Sequence, residues 1–231
     1  MNFKEGEVLA FYKPLTWTSF ALVNKLRWLI CRQIQVKKLK VGHAGTLDPL
    51  ATGVMIICTG KKTKEIDNFQ YQEKEYVATL KLGATTPSFD LEHEVDAVFP
   101  TEHITQALVE QTLKQFTGEI WQVPPVYSAV KIDGKRAYDY ARKGEEVEIK
   151  PKLLVIEEIE MLHFENMELT IRVVCSKGTY IRALARDIGL ALHSGAHLVA
   201  LERTRIGNVK LADCMTIAEF EKILNDQQIE Q

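Results

Sequence analysis

The sequence predicts an α+β fold: a mixed, largely antiparallel sheet flanked by helices and loops. Three observations predict it. Residues 75–82 alternate, with Tyr76, Ala78, Leu80 and Leu82 on one side and Glu75, Thr79 and Lys81 on the other, the period of a half-buried strand. Residues 153–164 and 168–175 are two β-rich runs separated only by a turn near Glu165-Asn166, which is a hairpin. Helical patterns are interspersed with hairpins rather than alternating strictly with strands, which disfavours a doubly wound parallel sheet.

In chain order, residues 7–13 predict a strand and residues 20–32 a helix capped by Ser19, with Leu22, Leu26, Leu29 and Ile30 at helical spacing. Residues 41–53 are expected as an irregular loop, followed by a short buried strand over 54–59 and the alternating strand over 75–82. Residues 101–116 predict a helix closed by Gly118, and 136–143 another closed by Gly144. Between them residues 122–131 are extended around Pro124-Pro125. After the hairpin, Gly178 begins a transition into a helix over 179–193. Thr216-Ile217-Ala218-Glu219 is a capping box opening a terminal helix over about 216–225. Internal repeats and low-complexity linkers are absent from the sequence, so one domain over 1–231, with its core at about 8–211, is the economical expectation.

At 231 residues and 46% hydrophobic, the chain buries a substantial core. No run approaches the roughly 18–20 apolar residues of a membrane span, and the charged opening lacks the form of a signal peptide. A cytoplasmic protein without membrane contact is expected, and a monomer, because no coiled-coil pattern demands a partner. Cys31, Cys58, Cys175 and Cys214 are scattered without a Cys-x-x-Cys pair, which argues against a zinc site and a disulfide framework. The net charge of -2 hides a local imbalance: Arg32, Lys37, Lys38, Lys40, Lys61, Lys62 and Lys64 surround a single acid, Asp48. Such a run is either a solvated face or an anion-binding surface.

The segment Gly42-His43-Ala44-Gly45-Thr46-Leu47-Asp48-Pro49-Leu50-Ala51-Thr52-Gly53 is built around that acid. Its glycines permit turns and close ligand approach, and Pro49 biases Asp48 toward extended geometry. An aspartate before proline also serves as an ordinary turn residue, so Asp48 needs a partner to count as catalytic. Arg182 is the candidate. If Lys177-Gly178-Thr179-Tyr180-Ile181-Arg182 runs extended, Tyr180 and Arg182 share a side and the guanidinium can fix a carboxylate; on a helix surface the same arginine makes only a weak ion pair. Tyr76 and Tyr180 are core aromatics unless something flat, such as a nucleobase, stacks on them. His43 has no accompanying ligands, so no metal is expected there.

Taken together, these blocks resemble the TruB-type family of bacterial tRNA pseudouridine synthases, which isomerise uridine at position 55 in the T loop of tRNA. The similarity covers about residues 8–211: Lys13-Pro14 with Thr18-Ser19, the 42–53 segment, and Lys74-Glu75-Tyr76. It continues in Pro124-Pro125 with Tyr127-Ser128-Ala129 and Lys131, in 177–182, and in Gly195-Ala196-His197 through Leu201 to Arg203-Thr204. The resemblance implies a pseudouridine-synthase-like sheet with an RNA-binding cleft, tRNA as partner and no cofactor. Asp48 would be the essential aspartate, Tyr76 would stack on the target base and Arg182 would pair with Asp48. Tyr180 and Leu201 would enclose the base, and His43 would fill the space left when the nucleotide flips out. Lys13, Lys61, Lys64, Lys131 and Arg142 would hold RNA phosphates.

Two departures accompany the resemblance. No C-terminal RNA-binding module of the PUA type, found in many members, is expected after the terminal helix. Pro87-Ser88-Phe89-Asp90-Leu91-Glu92 keeps Asp90 but lacks the expected glycine. Two rival functions remain open from the residues alone: an RNA-binding protein that needs no turnover, and a hydrolase or transferase of small nucleosides. The latter needs a second acid or water-activating group near Asp48, and the sequence offers none.

Overall fold

Strand β1 (Val8–Lys13) leads into helix α1 (Ser19–Gln33) in the computed structural model, which describes residues 1–128, 130–132, 134–141, 145 and 147–229. Thr18, rather than Ser19, caps α1, accepting from Ala21 N at 3.0 Å; Ser19 is buried and its hydroxyl is used elsewhere. Strands β2 (Val41–Ala44) and β3 (Ala51–Thr59) pair antiparallel, with His43 opposite Ile57 and Ala44 opposite Ile56. Most of the expected 41–53 loop is therefore strand, and the irregular part shrinks to residues 45–50. A 3₁₀ turn (Gly60–Glu65) and helix α2 (Ile66–Tyr71), neither anticipated, connect to β4 (Lys74–Leu82). In β4, residues 74, 76, 78, 80 and 82 are buried, as the alternation requires.

Short strands β5 (Ala84–Thr85) and β6 (Ala97–Val98) pair before α3 (Gln106–Leu113). This helix is shorter than expected because Thr105 caps it, accepting from Leu108 N at 3.2 Å, and its end tightens to a 3₁₀ turn before β7 (Gly118–Gln122). A small hairpin, β8 (Lys131–Ile132) and β9 (Lys135–Arg136), precedes α4 (Ala137–Ala141); the expected closure at Gly144 lies outside the described residues. Strands β10 (Lys152–Glu165) and β11 (Glu168–Cys175) form the expected hairpin, with Asn166 and Met167 both at positive φ (50° and 59°), the conformation of a two-residue type I′ turn. Helix α5 (Ile181–Ala191), the unanticipated long strand β12 (Ala196–Ile206), β13 (Val209–Lys210) and α6 (Ile217–Ile229) complete the chain. The capping box at the start of α6 is reciprocal: Thr216 N donates to Glu219 Oε2 (2.7 Å) and Glu219 N to Thr216 Oγ1 (3.2 Å).

The chain forms two compact units, Met1–Tyr76 with Glu202–Gln231, and Val77–Leu201. In the first the strand order is β1-β3-β12, with β2 also on β3 and β13 on β12. Met55 and Ile57 of β3 pack with Phe11, with Leu22, Leu26 and Ile30 of α1, and with Phe220 and Leu224 of α6. Val54, Ile56 and Cys58 point the other way, toward Ile206 and toward Ile66 and Phe69 of α2. Both faces of β3 are covered, which is why residues 54–58 read as an unbroken apolar run. In the second unit the order is β12-β4-β11-β10-β7. There α5 buries Ile181, Ala183, Leu184, Ala185 and Ile188. The pairs β1/β3, β2/β3, β7/β10, β10/β11 and β12/β13 are all antiparallel, so the predicted fold class holds. Among the described residues no helix is long and apolar enough to cross a membrane.

Phe220 docks α6 edge-on against Phe3 (6.2 Å between ring centroids) and Phe11 (5.1 Å) and is fully buried. Phe220→Ala should therefore cost about 3–5 kcal/mol, read as a fall in the urea unfolding midpoint; a loss within the error of that measurement would show that α6 is dispensable to the core.

Candidate active site

The hairpin between β2 and β3 carries Asp48 on residues 45–50, and the surrounding chain holds Gly45, Leu47 and Pro49 of that loop. Ser19 Oγ bonds both Leu47 N and Leu47 O at 2.9 Å. Asp48 O accepts from Ala51 N (3.0 Å), and Pro49 O accepts from Thr16 N (2.9 Å). The Arg203 guanidinium on β12, 1% exposed, donates from Nη2 to Gly45 O (3.0 Å) and from Nε to Val54 O (2.8 Å). Gly53 makes this approach possible: at φ +107° a Cβ there would lie 2.2 Å from Arg203 O.

Lys13 completes the clamp. It was expected to hold phosphates, but it is fully buried and its ammonium donates to Trp17 O (2.6 Å), Pro14 O (2.9 Å) and Pro49 O (3.4 Å). That expectation is corrected: the charge is spent on loop carbonyls, out of reach of a solvent-side phosphate. Burial pulls its pKa down to about 8, with the Asp48 carboxylate opposing and the Arg203 guanidinium reinforcing the shift. His43 lies on a strand rather than in a loop. Its Nδ1 is buried with no hydrogen-bond partner among the described residues, and burial together with the Arg203 charge lowers its pKa. The imidazole is neutral at neutral pH. Tyr76, in the same unit, is 8% exposed and lies on the buried side of β4.

The second unit contains a cluster at the start of α5. Of the two geometries open for 177–182 the helical one occurs, with the transition at Gly178 as expected: β11 ends at Cys175, Gly178 turns the chain at φ +89°, and Tyr180 becomes the N-cap of α5. Arg182 is thus helical, yet not on a solvated surface. It is 4% exposed, donating from Nη1 to Ser88 O (3.1 Å) and from Nη2 to Tyr127 O (2.9 Å), with Nε 3.5 Å from Asp90 Oδ2. Asp90 is held in turn by Ser88 Oγ (2.6 Å) and Glu92 N (3.0 Å) on its other oxygen. Tyr180 N donates to the fully buried Gln122 Oε1 at 2.9 Å, and Leu201 is buried on β12. Phe89, before Asp90 in this loop, adopts φ +62°.

Lys61 and Lys64 are exposed on the 3₁₀ turn, Lys61 paired with Glu5 at 2.7 Å. The side chain of Lys131 is not among those described, and Arg142 lies outside the described residues. No group of three or more His, Cys, Asp or Glu side chains that could hold a metal occurs among the described residues. Sequence reasoning missed the structural roles of Arg203, Ser19, Asp90 and Gln122. Their partners lie far along the chain, Arg203 and Gly45 for instance 158 residues apart, and local pattern carries no sign of such pairings.

The pinned loop that carries Asp48 has the form of a candidate enzyme active site. The family model "TruB family pseudouridylate synthase (N terminal domain)" matches residues 32–181, and "tRNA pseudouridylate synthase B C-terminal domain" matches residues 182–231. The chain belongs to the TruB family of pseudouridylate synthases. It is 69% identical over 231 residues to a tRNA pseudouridine synthase B of Phocaeicola vulgatus, covering 100% of this chain and 98% of that protein. It is 67% identical over 229 residues to that of Parabacteroides distasonis, covering 99% and 97%. A chain in the crystal structure of a Cbf5-Nop10-Gar1 complex superposes with a TM-score of 0.72 at 30% identity, covering 95% of this chain and 54% of that one. This chain therefore spans about half the length of that solved relative.

The two shifted groups set a pH dependence. Between the lowered pKa of His43 and its ordinary 6.5, the unfolded chain binds the extra proton, so stability falls as pH drops below about 6.5. Lys13, at about 8 folded against 10.5 unfolded, acts in the same sense at higher pH: its contribution rises between those values. His43→Gln should flatten the loss of urea resistance between about pH 6.5 and pH 5, and an unchanged slope would show that His43 is not a buried neutral imidazole.

Proposed function

We propose that this chain isomerises uridine to pseudouridine at position 55 in the T loop of tRNA, with the aspartate of the pinned hairpin as its catalytic group. The observation that carries the reading is that single loop: a carboxylate-bearing residue whose backbone neighbours on both sides are fastened to α1, β1 and β12, in a chain of this family.

The reaction breaks the N1–C1′ glycosidic bond, turns the uracil and rejoins it through C5, so the base must leave its stack and remain enclosed throughout. Proximity substitutes for a cofactor, because the detached base never diffuses away and the product has the same atoms and oxidation level. Three roles for Asp48 fit a carboxylate: attack on the sugar, addition to C6 of the base, or removal of the C2′ proton. Tyr76 is assigned to stack on the base and is a candidate for taking the C5 proton at the end. Arg182, anchored by two carbonyls and Asp90, is assigned to orient the Asp48 carboxylate. Tyr180 and Leu201 are assigned to wall the base in, and neutral His43 to fill the vacated position in the T loop. Exposed Lys61 and Lys64, with Lys131 and Arg142, are assigned to phosphates, which makes binding salt-dependent. A cytoplasmic monomer acting on tRNA without metal completes the reading.

Pseudouridine mapping on an unmodified tRNA transcript tests it. Wild type should convert the T-loop uridine without added metal or cofactor. Asp48→Asn should bind the same transcript but convert it at least roughly 100-fold more slowly. Tight binding with no conversion by wild type would leave an RNA-binding protein.

A further inference from the structure

Away from the Asp48 loop, the first unit presents a cleft of about 400 Å³ between α1 and α6, lined among others by Lys25, Trp28, Arg32, Gln33, Glu221 and Asn225. Its aromatic wall is unusual for a surface helix: Trp28 is 53% exposed, and two cations approach its indole, Lys25 Nζ at 5.1 Å and the Arg32 guanidinium at 5.4 Å from the ring centroid. Glu221 is the acid in the cleft, and Lys25 neutralises it at 2.8 Å. Arg32 and the exposed Lys37, Lys38 and Lys40 that follow α1 carry no ion pair among the described residues. Gln33 is fixed by donating from Nε2 to Leu224 O (2.8 Å), which leaves its amide oxygen as an acceptor at the cleft. An aromatic surface, amide groups and uncompensated positive charge in one cleft match the parts of a nucleotide: a flat base with polar edges and a phosphate.

The cleft is remote from the chemistry. Ser19, at the start of α1, holds the Asp48 loop, and Arg32 lies thirteen residues further along the helix, about 20 Å at 1.5 Å per residue. An RNA whose T loop occupies the Asp48 site would meet this cleft with a different part of its chain.

We propose that the cleft between α1 and α6 is a second RNA-contact site, which takes an unpaired nucleotide from outside the T arm, its base against Trp28 and its phosphate on Arg32 and the lysines after α1. The proposal rests on tRNA being the substrate. Such a contact raises affinity for the whole RNA and leaves the chemical step on the T arm unchanged.

The test compares wild type, Trp28→Leu and Arg32→Gln on a full-length unmodified tRNA transcript and on an isolated T-arm hairpin. Trp28→Leu should weaken binding of the full-length transcript about tenfold. Arg32→Gln should lower the slope of log affinity against log salt by about one. Both variants should bind and convert the hairpin as wild type does. Full-length affinity within twofold of wild type for both variants, with unchanged urea midpoints, would overturn the proposal. So would quenching of Trp28 fluorescence by uridine 5′-monophosphate with no change in RNA affinity, which would mark a free-nucleotide site instead. Failure of wild type to convert the hairpin would count against the proposed reaction alone, because the binding comparison needs no turnover.

Discussion

The buried Arg203 guanidinium, laid across the start of β3, is the interaction on which the active-site half of the molecule depends. A guanidinium at 1% exposure is tolerable only if protein dipoles replace its water, and the carbonyls of Gly45 and Val54 do so from the two ends of the Asp48 loop. The same contact requires Gly53, since any side chain there meets the Arg203 backbone. It also adds to the burial that depresses the pKa of both His43 and Lys13. One buried charge therefore constrains loop shape and glycine placement and reinforces the shifts of two neighbours.

Arg182 uses the same physics. Its guanidinium is buried at the first turn of α5 and is solvated by the carbonyls of Ser88 and Tyr127, with Asp90 as counter-charge. Desolvated arginines held by backbone carbonyls lose little freedom when a ligand binds, because their planar donor forks are already oriented. Such preorganisation suits the proposed reaction, in which a base is held only by its surroundings. Lys13 belongs to this group rather than to the phosphate-binding lysines: only burial separates a lysine that shapes a loop from one that meets RNA, and burial is a tertiary property.

How much of this was legible depended on the range of the causes. The alternation in β4, the β10/β11 hairpin and the capping box at Thr216 are settled by residues within a few positions and are legible in the sequence, the turn falling at Asn166-Met167, one residue past the expected Glu165-Asn166. The β12 strand was missed because Ala196–Ile206 is buried over most of its length and shows no clean period of two. The helix expected after Gly178 forms, and the extended alternative for Tyr180 and Arg182 fails, because a single glycine conformation, φ +89° at Gly178, decides between extension and a turn into a helix. His43 was placed in a loop because its strand exists only through pairing with β3. Ser19 was taken for the helix cap because Thr18 and Ser19 are chemically equivalent candidates, and only the buried bonds to Leu47 separate their roles.

The sequence by itself determined the fold class, the family and the prominence of Asp48, because these rest on local periodicity and on ordered motifs that survive without coordinates. Tertiary structure alone decided what holds that aspartate: Ser19, Lys13 and Arg203 reach the loop from α1, β1 and β12, from as far as 158 residues away. The reason is physical. Hydrogen bonds that bury a charge are made between groups brought close by packing, and a linear pattern records which groups exist without recording which of them meet.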